Sequence, residues 1–286
     1  MRSDKRMCRI AVVTLVCAAA QAASGQIKVN PTGVNVNTNG ATTAFITFDR
    51  PDARNAMTWA MYEQLDKALD TIASDDAIRV AVLRGSGGHF VSGTDIAQFV
   101  DFKSGDDGIE YERRLEAVVS KLEGLRVATI AAVDGYALGG GLALATVCDL
   151  RICTPNARFG VPVAKTVGNC LSMANYARLV ASLGASRTKA MLFTAETLAA
   201  DDARAVGFVV SVVPPEQLDA AIDALCARVA THAPITLQVT KEAVRRIIAC
   251  SAAQGGDLVQ RAYASRDFRE GVTAFVEKRA PRWEGR

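Results

Sequence analysis

Histidine is scarce in this chain: its 286 residues include only two, His89 and His232. The seven cysteines form no Cys-x-x-Cys pair, and no histidine-rich tract stands beside them. A structural zinc site draws four such ligands from short, regular spacings, so the sequence argues against one. We therefore expect no metal site.

Blocks of like charge are also lacking. The net charge is +3, and the cationic residues are spread along the chain among acidic ones. Proteins that bind a nucleic-acid backbone concentrate positive charge, so we expect no nucleic-acid partner. Because 50% of the residues are hydrophobic, the chain can bury a substantial core.

The N-terminal apolar run, residues 10–20, is too short to span a bilayer, and we expect no membrane association. It follows four cationic residues and precedes small ones, which is the layout of a secretory signal peptide. Three interpretations stay open: a cleaved signal, an organelle-targeting segment, or a start codon assigned too far upstream. Residues 1–26 are therefore left out of the fold prediction.

Cysteine usage argues against export. Beyond residue 26 an odd number of cysteines remains, at irregular spacing, which gives no disulfide framework. We interpret them as small core hydrophobes and expect a cytoplasmic protein, with export or an organelle left open by the N-terminal segment. The five are Cys148, Cys153, Cys170, Cys226 and Cys250.

Strand and helix patterns alternate over residues 27–215 and predict one α/β core domain. Alternating stretches on both sides of Asn39-Gly40 predict a β-hairpin, and the helical spacing that follows predicts a helix for which Asn55 can be the cap.

Later segments continue this rhythm. Buried strands are predicted at 80–83, 128–133 and 150–153, and a Val-rich run at 208–213 predicts an edge strand. Residues 216–286 are predicted to be helical, with apolar faces that suit an oligomer.

Three internal stretches together are far more specific than any one of them. They are Phe48-Asp49-Arg50-Pro51 with Asn55-Ala56, then His89 to Ile96, then Tyr136 to Gly141 with Cys148-Asp149. With Asp267 to Gly271 and Phe275 to Arg279, they make the chain resemble the crotonase (enoyl-CoA hydratase/isomerase) superfamily. The resemblance implies a ClpP/crotonase-type spiral of repeated ββα units, with a C-terminal helical oligomerisation region and assembly as a homotrimer or a dimer of trimers.

The resemblance also implies an acyl-CoA substrate whose carbonyl oxygen is held by two backbone N–H groups while it becomes an enolate. Carried over by motif, these belong to Thr94 and Gly140. The chemistry suits the sequence, because Gly139 to Gly141 lets a ligand approach the backbone and Gly140 would begin a helix whose dipole favours negative charge. Taken alone, such glycines would indicate only a tight turn.

Coenzyme A is expected as part of the substrate, not as a separate cofactor. The resemblance places it along main-chain groups of the loops around the carbonyl site. The residues are Arg54, Ala56, Ser92, Thr94, Asp95, Ile96 and Gly140. For Asp95 we favour a structural role as a helix cap.

The usual acid-base residues are absent. Hydratases of this superfamily use two glutamates, and their places are taken here by Ala143 and Val163. A positioned acid or base contributes about 10²–10⁴ in rate, so ordinary hydration should be weak.

Three residues are candidates to replace these glutamates: Glu112, Glu116 and Asn169. Glu112 and Glu116 share one face of a charged helix, and for them we favour a solvated face. Asn169 could orient water or simply form a turn, with Ser172 as the next helix cap, and both interpretations stay open.

Two functions therefore remain. One is an enzyme that processes acyl-CoA through an enolate, nominally an enoyl-CoA hydratase or isomerase. The other is a catalytically silent acyl-CoA-binding homologue that serves as a binder or scaffold.

Overall fold

The computed structural model describes residues 33–39, 42–250 and 256–284. The N-terminal segment 1–26 and Gly40 of the predicted turn lie outside these residues. Within them the strands are β1 (Gly33–Asn39), β2 (Thr43–Asp49), β3 (Val80–Gly85), β4 (Ala128–Val133), β5 (Tyr136–Leu138), β6 (Leu150–Cys153), β7 (Arg158–Gly160), β8 (Leu198–Ala199) and β9 (Ser211–Val212).

Helices follow most of the strands. They are α1 (Trp59–Ser74), α2 (Gly105–Glu123), α3 (Gly140–Val147), α4 (Val163–Thr166), α5 (Met173–Leu183), α6 (Ala185–Thr194), α7 (Ala200–Ala205), α8 (Leu218–Ala230), α9 (Pro234–Ala249), α10 (Gly256–Tyr263) and α11 (Arg266–Val276). Short 3₁₀ turns at Pro51–Ala53, Ile96–Phe99 and Pro215–Gln217 connect some of them.

A six-stranded sheet forms the centre, in the order β1-β2-β3-β4-β6-β9. The hairpin β1-β2 is antiparallel, as predicted, and every other pair in this sheet is parallel. Strands β5, β7 and β8 form a small second sheet. Because β1-β2-α1, β4-β5-α3 and β6-β7-α4 each contain two strands and a helix, the predicted α/β arrangement of ββα units is confirmed.

The core lies on both faces of the large sheet, because parallel strands covered by helices are buried on both sides. Ile46, Phe48 and Leu83 belong to the larger cluster, which includes residues of α1, α2 and α3. Phe45 and Val82 point to the other face, which α8 covers. Within the described residues, no helix is both long and apolar enough to cross a membrane.

The predicted cap of α1 was wrong. Thr58 is the N-cap, and its side chain accepts a hydrogen bond from the Met61 N–H. Asn55 instead adopts a left-handed conformation, with φ of 58°. Its amide donates to the carbonyl oxygens of Ser86 (2.9 Å) and His89 (2.7 Å), which links the segment that follows β2 to the loop after β3.

The predicted edge strand is confirmed but shorter than its Val-rich run. Only Ser211–Val212 pairs with β6, at the end of the sheet. Phe208 and Val209 are buried in the larger core cluster instead, where Phe208 packs edge-on against Phe159.

Candidate active site

The loop after β3 presents the backbone of Thr94 to one side. A parallel bridge joins Thr94 to Met57, through hydrogen bonds from Met57 N to Gly93 O (2.8 Å) and from Asp95 N to Met57 O (2.9 Å). In such a bridge the N–H of the central residue points away from its neighbour. The Thr94 N–H is thereby directed off the bridge, and Gly93, at φ 121°, supplies the turn that no other residue type adopts readily.

The Gly139-Gly140-Gly141 run brings a second backbone segment next to Thr94. Gly139 turns the chain with φ of 50°, and Gly140 is the first residue of α3, so its N–H has no acceptor within the helix. A Cβ atom on Gly141 would lie 2.1 Å from the Val91 carbonyl oxygen. A Cβ atom on Gly140 would lie 3.9 Å from the Thr94 nitrogen, which places the two backbones side by side.

Hydroxyl groups border this pair. Thr94 Oγ1 forms hydrogen bonds with Tyr62 Oη (2.8 Å) and Tyr111 Oη (2.9 Å). Burial raises the pKa of both tyrosines above the usual value, so both phenols stay neutral at physiological pH. Tyr62 Oη is also the atom that a Cβ on Gly140 would meet, at 2.7 Å.

Glu112 is buried, with 4% of its surface exposed, so the solvated face favoured from the sequence was wrong for this residue. Its carboxylate accepts hydrogen bonds from the Ser172 N–H (2.9 Å) and from Tyr263 Oη (3.0 Å). Burial raises the pKa of Glu112 to about 7, against the opposing effect of these two bonds. A carboxyl group with such a pKa can take up and release protons near neutral pH.

The close approach of α10 to α2 contributes to the burial of Glu112. A Cβ on Gly108 would lie 2.1 Å from the Tyr263 ring, and one on Gly105 would lie 2.8 Å from Gln260. Sequence reasoning missed Tyr263. The spacing of Gly105 and Gly108, one turn apart on a helix, was the available sign that another element packs closely there.

Glu116 lies outside the residues that line the acyl cavity described below. Its carboxylate pairs with Arg178, at 2.7 Å to each terminal nitrogen, and also accepts a hydrogen bond from Ser120 Oγ. Arg178, which is 6% exposed, holds Glu123 as well, at 2.7 Å. The three side chains form a largely buried ion-pair network.

A cavity of about 90 Å³, called here the acyl cavity, brings these groups together. Its lining includes the candidates Thr94, Gly140, Glu112 and Asn169, together with Ala143 and Val163. Those last two positions therefore face the cavity with apolar side chains. Among the described residues of the lining, Glu112 is the only one with a carboxyl group.

Asn169 contributes an amide to the acyl cavity: its Nδ2 donates to Tyr263 Oη at 3.0 Å. Ser172 caps α5 by accepting from the Asn175 N–H, which confirms the helix-cap interpretation for Ser172. Cys170 also lines the cavity, where burial raises the pKa of its thiol to about 12, so the reactive thiolate is scarce at neutral pH.

Of the expected coenzyme A contacts, Ser92 and Ile96 line the acyl cavity beside Thr94. The Ser92 N–H donates to the Arg54 carbonyl oxygen at 3.1 Å, which joins the two loops. The guanidinium of Arg54 lies over the Tyr136 ring, 5.4 Å from its centre.

Arg50, which the sequence analysis did not single out, links Ala56 to Asp95. One terminal nitrogen of Arg50 donates to the Ala56 carbonyl oxygen (3.0 Å) and to Asp95 Oδ2 (2.8 Å). Asp95 also accepts from the Ala97 N–H and so caps the 3₁₀ turn, in agreement with the predicted structural role. Within the described residues, no group of three histidine, cysteine or acidic side chains is placed to hold a metal ion.

The chain is similar to known proteins over most of its length. A sequence profile described as enoyl-CoA hydratase/isomerase matches residues 38–286. The chain is 33% identical over 246 residues to 2,3-dehydroadipyl-CoA hydratase of Escherichia coli, covering 84% of this chain and 94% of that one. It is 31% identical over 241 residues to the short-chain-enoyl-CoA hydratase of Clostridium acetobutylicum, covering 82% and 92%.

A solved structure also resembles the chain over most of its length. Methylmalonyl-CoA decarboxylase in complex with 2-nitronate-propionyl-CoA superposes with a TM-score of 0.80 at 26% sequence identity, covering 88% of this chain and 98% of that chain.

Proposed function

Because the chain belongs to the enoyl-CoA hydratase/isomerase family, which processes acyl-CoA esters, we propose that it moves a proton at C2 of an acyl-CoA through an enolate. The observation that carries this proposal is Glu112, buried in the acyl cavity that also contains Thr94 and Gly140. Membership of this family and the pKa of about 7 of the Glu112 carboxyl group, which lines the acyl cavity, together favour proton transfer.

In this proposal the N–H groups of Thr94 and Gly140 hold the acyl carbonyl oxygen. The Thr94 backbone is bridged to Met57, and the Gly140 N–H lies at the N-terminus of α3, where the helix dipole adds positive potential. Donors fixed in advance around a developing oxyanion are each worth about 10²–10³ in rate.

Glu112 is the proposed base. Its carboxylate takes the C2 proton, the electron pair of the broken C–H bond moves toward the carbonyl, and the enolate oxygen is held by the two N–H groups. Return of the proton to C2 gives exchange, and delivery to the far end of a conjugated enolate moves the double bond. Hydration would in addition require a positioned water, and Ala143 and Val163 supply no carboxylate for it.

A catalytically silent acyl-CoA binder has less support. It accounts for Ala143 and Val163 but gives no reason for an ionisable group with a pKa of about 7 in the acyl cavity. Burying a carboxyl group is costly, and proteins tend to keep such groups where they act chemically.

The test is proton exchange. The full chain is incubated with butyryl-CoA in deuterated water, C2 deuteration is followed by NMR, and binding is measured separately by calorimetry. Glu112→Gln is expected to slow exchange by about 10²–10⁴ while binding persists. Glu110→Gln is the matched control, because Glu110 lies on the same helix and pairs at the surface with Arg113 and Arg114. Tight binding without exchange in the wild type would defeat the enzyme proposal.

Assembly as a homotrimer or a dimer of trimers remains our proposal, supported by apolar side chains exposed on α9. Ile235 is 66% exposed, Val239 62% and Ile247 70%. Light scattering of the purified chain tests it, and a monomer at micromolar concentration would contradict it.

We likewise keep the cytoplasm as the proposed location, to be tested by fractionation, although relatives named as mitochondrial exist in Bos taurus and Dictyostelium discoideum.

A further inference from the structure

Two amide side chains of the acyl cavity each have one buried polar atom without a hydrogen-bond partner among the described residues. These atoms are Asn169 Oδ1 and Asn175 Nδ2. Asn175 is only 3% exposed. Buried polar atoms in proteins are almost always paired, so an unpaired donor and an unpaired acceptor in one cavity point to a polar group that binds there.

The orientation of Asn175 is fixed by its neighbour. Its Oδ1 accepts from Arg178 Nη1 at 3.2 Å, and a guanidinium can only donate, so the amide oxygen must face Arg178. Arg178 is itself held by Glu116 and Glu123. The Asn175 Nδ2 donor is therefore left for another partner.

The orientation of Asn169 follows from the ionised form of Glu112. Tyr263 has one hydroxyl proton and donates it to the Glu112 carboxylate, so Tyr263 Oη must accept from Asn169 Nδ2. The amide oxygen of Asn169 is then directed away from Tyr263. It is a fixed acceptor.

We infer that the acyl chain of the substrate carries a hydroxyl group and that Asn169 and Asn175 select for it. The inference rests on the proposed function, because it assigns the acyl cavity to the acyl chain. A hydroxyl group donates one hydrogen bond and accepts others, which meets the needs of both atoms. A plain hydrocarbon chain meets neither need.

Other polar acyl groups fit less well. A keto group or a carboxylate only accepts, so it can serve Asn175 Nδ2 but meets Asn169 Oδ1 with like polarity. A carboxylate also brings a negative charge close to Glu112, whose hydrogen-bond donors, Ser172 N–H and Tyr263 Oη, are both uncharged. Ala143 adds room, since it lines both the acyl cavity and a smaller cavity that Asn175 and Arg178 share.

Calorimetry on the wild-type full chain tests the selection. Butyryl-CoA is compared with its 2-, 3- and 4-hydroxy derivatives, which share one chain length. We expect one hydroxy isomer to bind at least about tenfold more tightly than butyryl-CoA, because pairing buried polar atoms has an effect of that size. Equal affinity for all four esters would overturn the inference, since ordered water would then suffice for both amides.

Variants sharpen the test. Asn175→Leu keeps the branching of the side chain and removes the Nδ2 donor together with the Oδ1 acceptor of Arg178 Nη1. We expect it to reduce the preference to about twofold or less. Thr188→Val is the matched control, because Thr188 is equally buried, lies outside the cavity lining, and already donates to the Gly184 carbonyl oxygen at 3.0 Å. A preference unchanged in Asn175→Leu would also overturn the inference.

The two proposals fail differently. Absence of C2 exchange with the hydroxyl preference retained would contradict the proposed reaction and support the selection. If Asn175→Leu does not fold, the wild-type comparison decides alone. Failure to bind any of the four esters would overturn both proposals.

Discussion

The Tyr263 hydroxyl donates a hydrogen bond to Glu112 Oε1 at 3.0 Å, although 151 residues separate the two along the chain. The bond joins the last turn of α10 to the middle of α2, and the missing side chains of Gly105 and Gly108 make the approach possible. Tyr263 also accepts from Asn169, so one phenol connects three elements of the acyl cavity.

The rate of C2 exchange should depend on pH through Glu112. As a base the carboxyl group must be ionised, so the rate is expected to rise with an inflection near pH 7 and then level off. Tyr263→Phe removes a hydrogen bond that lowers this pKa, so its inflection should lie at higher pH. The measurement is exchange rate against pH between 5 and 9. Superimposable profiles for the two proteins would contradict the assigned role of Tyr263.

Stability should depend on pH with the opposite sense. The Glu112 pKa is raised from 4.5 to about 7 on folding, so between these values the folded state binds more protons than the unfolded chain, and the free energy of unfolding falls as pH rises. Relative to Glu112→Gln, the wild type should lose roughly 3 kcal/mol between pH 4.5 and 8. Urea denaturation of both proteins at several pH values measures this. A constant difference across the range would show that the carboxyl group is not buried as described.

Gly140→Ala should damage the carbonyl site. The added methyl group would lie 2.7 Å from Tyr62 Oη and 3.2 Å from Thr94 Oγ1, so the backbone or the hydroxyls must move. We expect exchange to fall by about 10²–10³, the size of the loss of one oxyanion donor. Gly256→Ala, where a Cβ meets nothing within 4 Å, is the control in the same assay. Equal rates for the two variants would remove Gly140 from the proposed site.

Glu116 should prove dispensable for proton transfer. Its carboxylate accepts hydrogen bonds from Arg178 and Ser120, so Glu116→Gln is expected to leave the exchange rate within about twofold, since a true acid or base would contribute far more.

Arg178→Met should instead destabilise the fold by about 3–5 kcal/mol, because it leaves Glu116 and Glu123 without their cation. Exchange rates and urea denaturation curves measure the two effects. A large loss of exchange in Glu116→Gln would restore that residue as a catalytic candidate.

Local patterns were enough to predict most of the fold. The apolar runs at Val80–Gly85 and Ala128–Val133 reflect the burial of parallel strands on both faces, and the glycine loops after them reflect the needs of tight turns. Both requirements act over a few residues. The resemblance of the same loops to the crotonase superfamily predicts Thr94 and Gly140 as the carbonyl-binding residues. The residue types that each loop requires are adjacent in the sequence.

Contacts between distant segments could not be predicted in this way. Glu112 lies between Tyr111 and Arg113 in a helix whose charged residues suggested solvent, but Ser172 and Tyr263, both far along the chain, donate hydrogen bonds to its carboxylate. Asn55 stood where a helix cap is expected, but its side chain serves two carbonyl groups of the loop after β3, and Thr58 caps the helix. In both cases the deciding partner lies more than thirty residues away.

The position of Tyr263 far downstream of Glu112 has a consequence for biosynthesis. Proteins are made from the N-terminus, and the sheet, the glycine loops and Glu112 are all translated before α10. A nascent chain therefore contains Glu112 before it contains the phenol that lowers the pKa of this carboxyl group. Glu112 gains that hydrogen bond only after Tyr263, 151 residues downstream, has been translated.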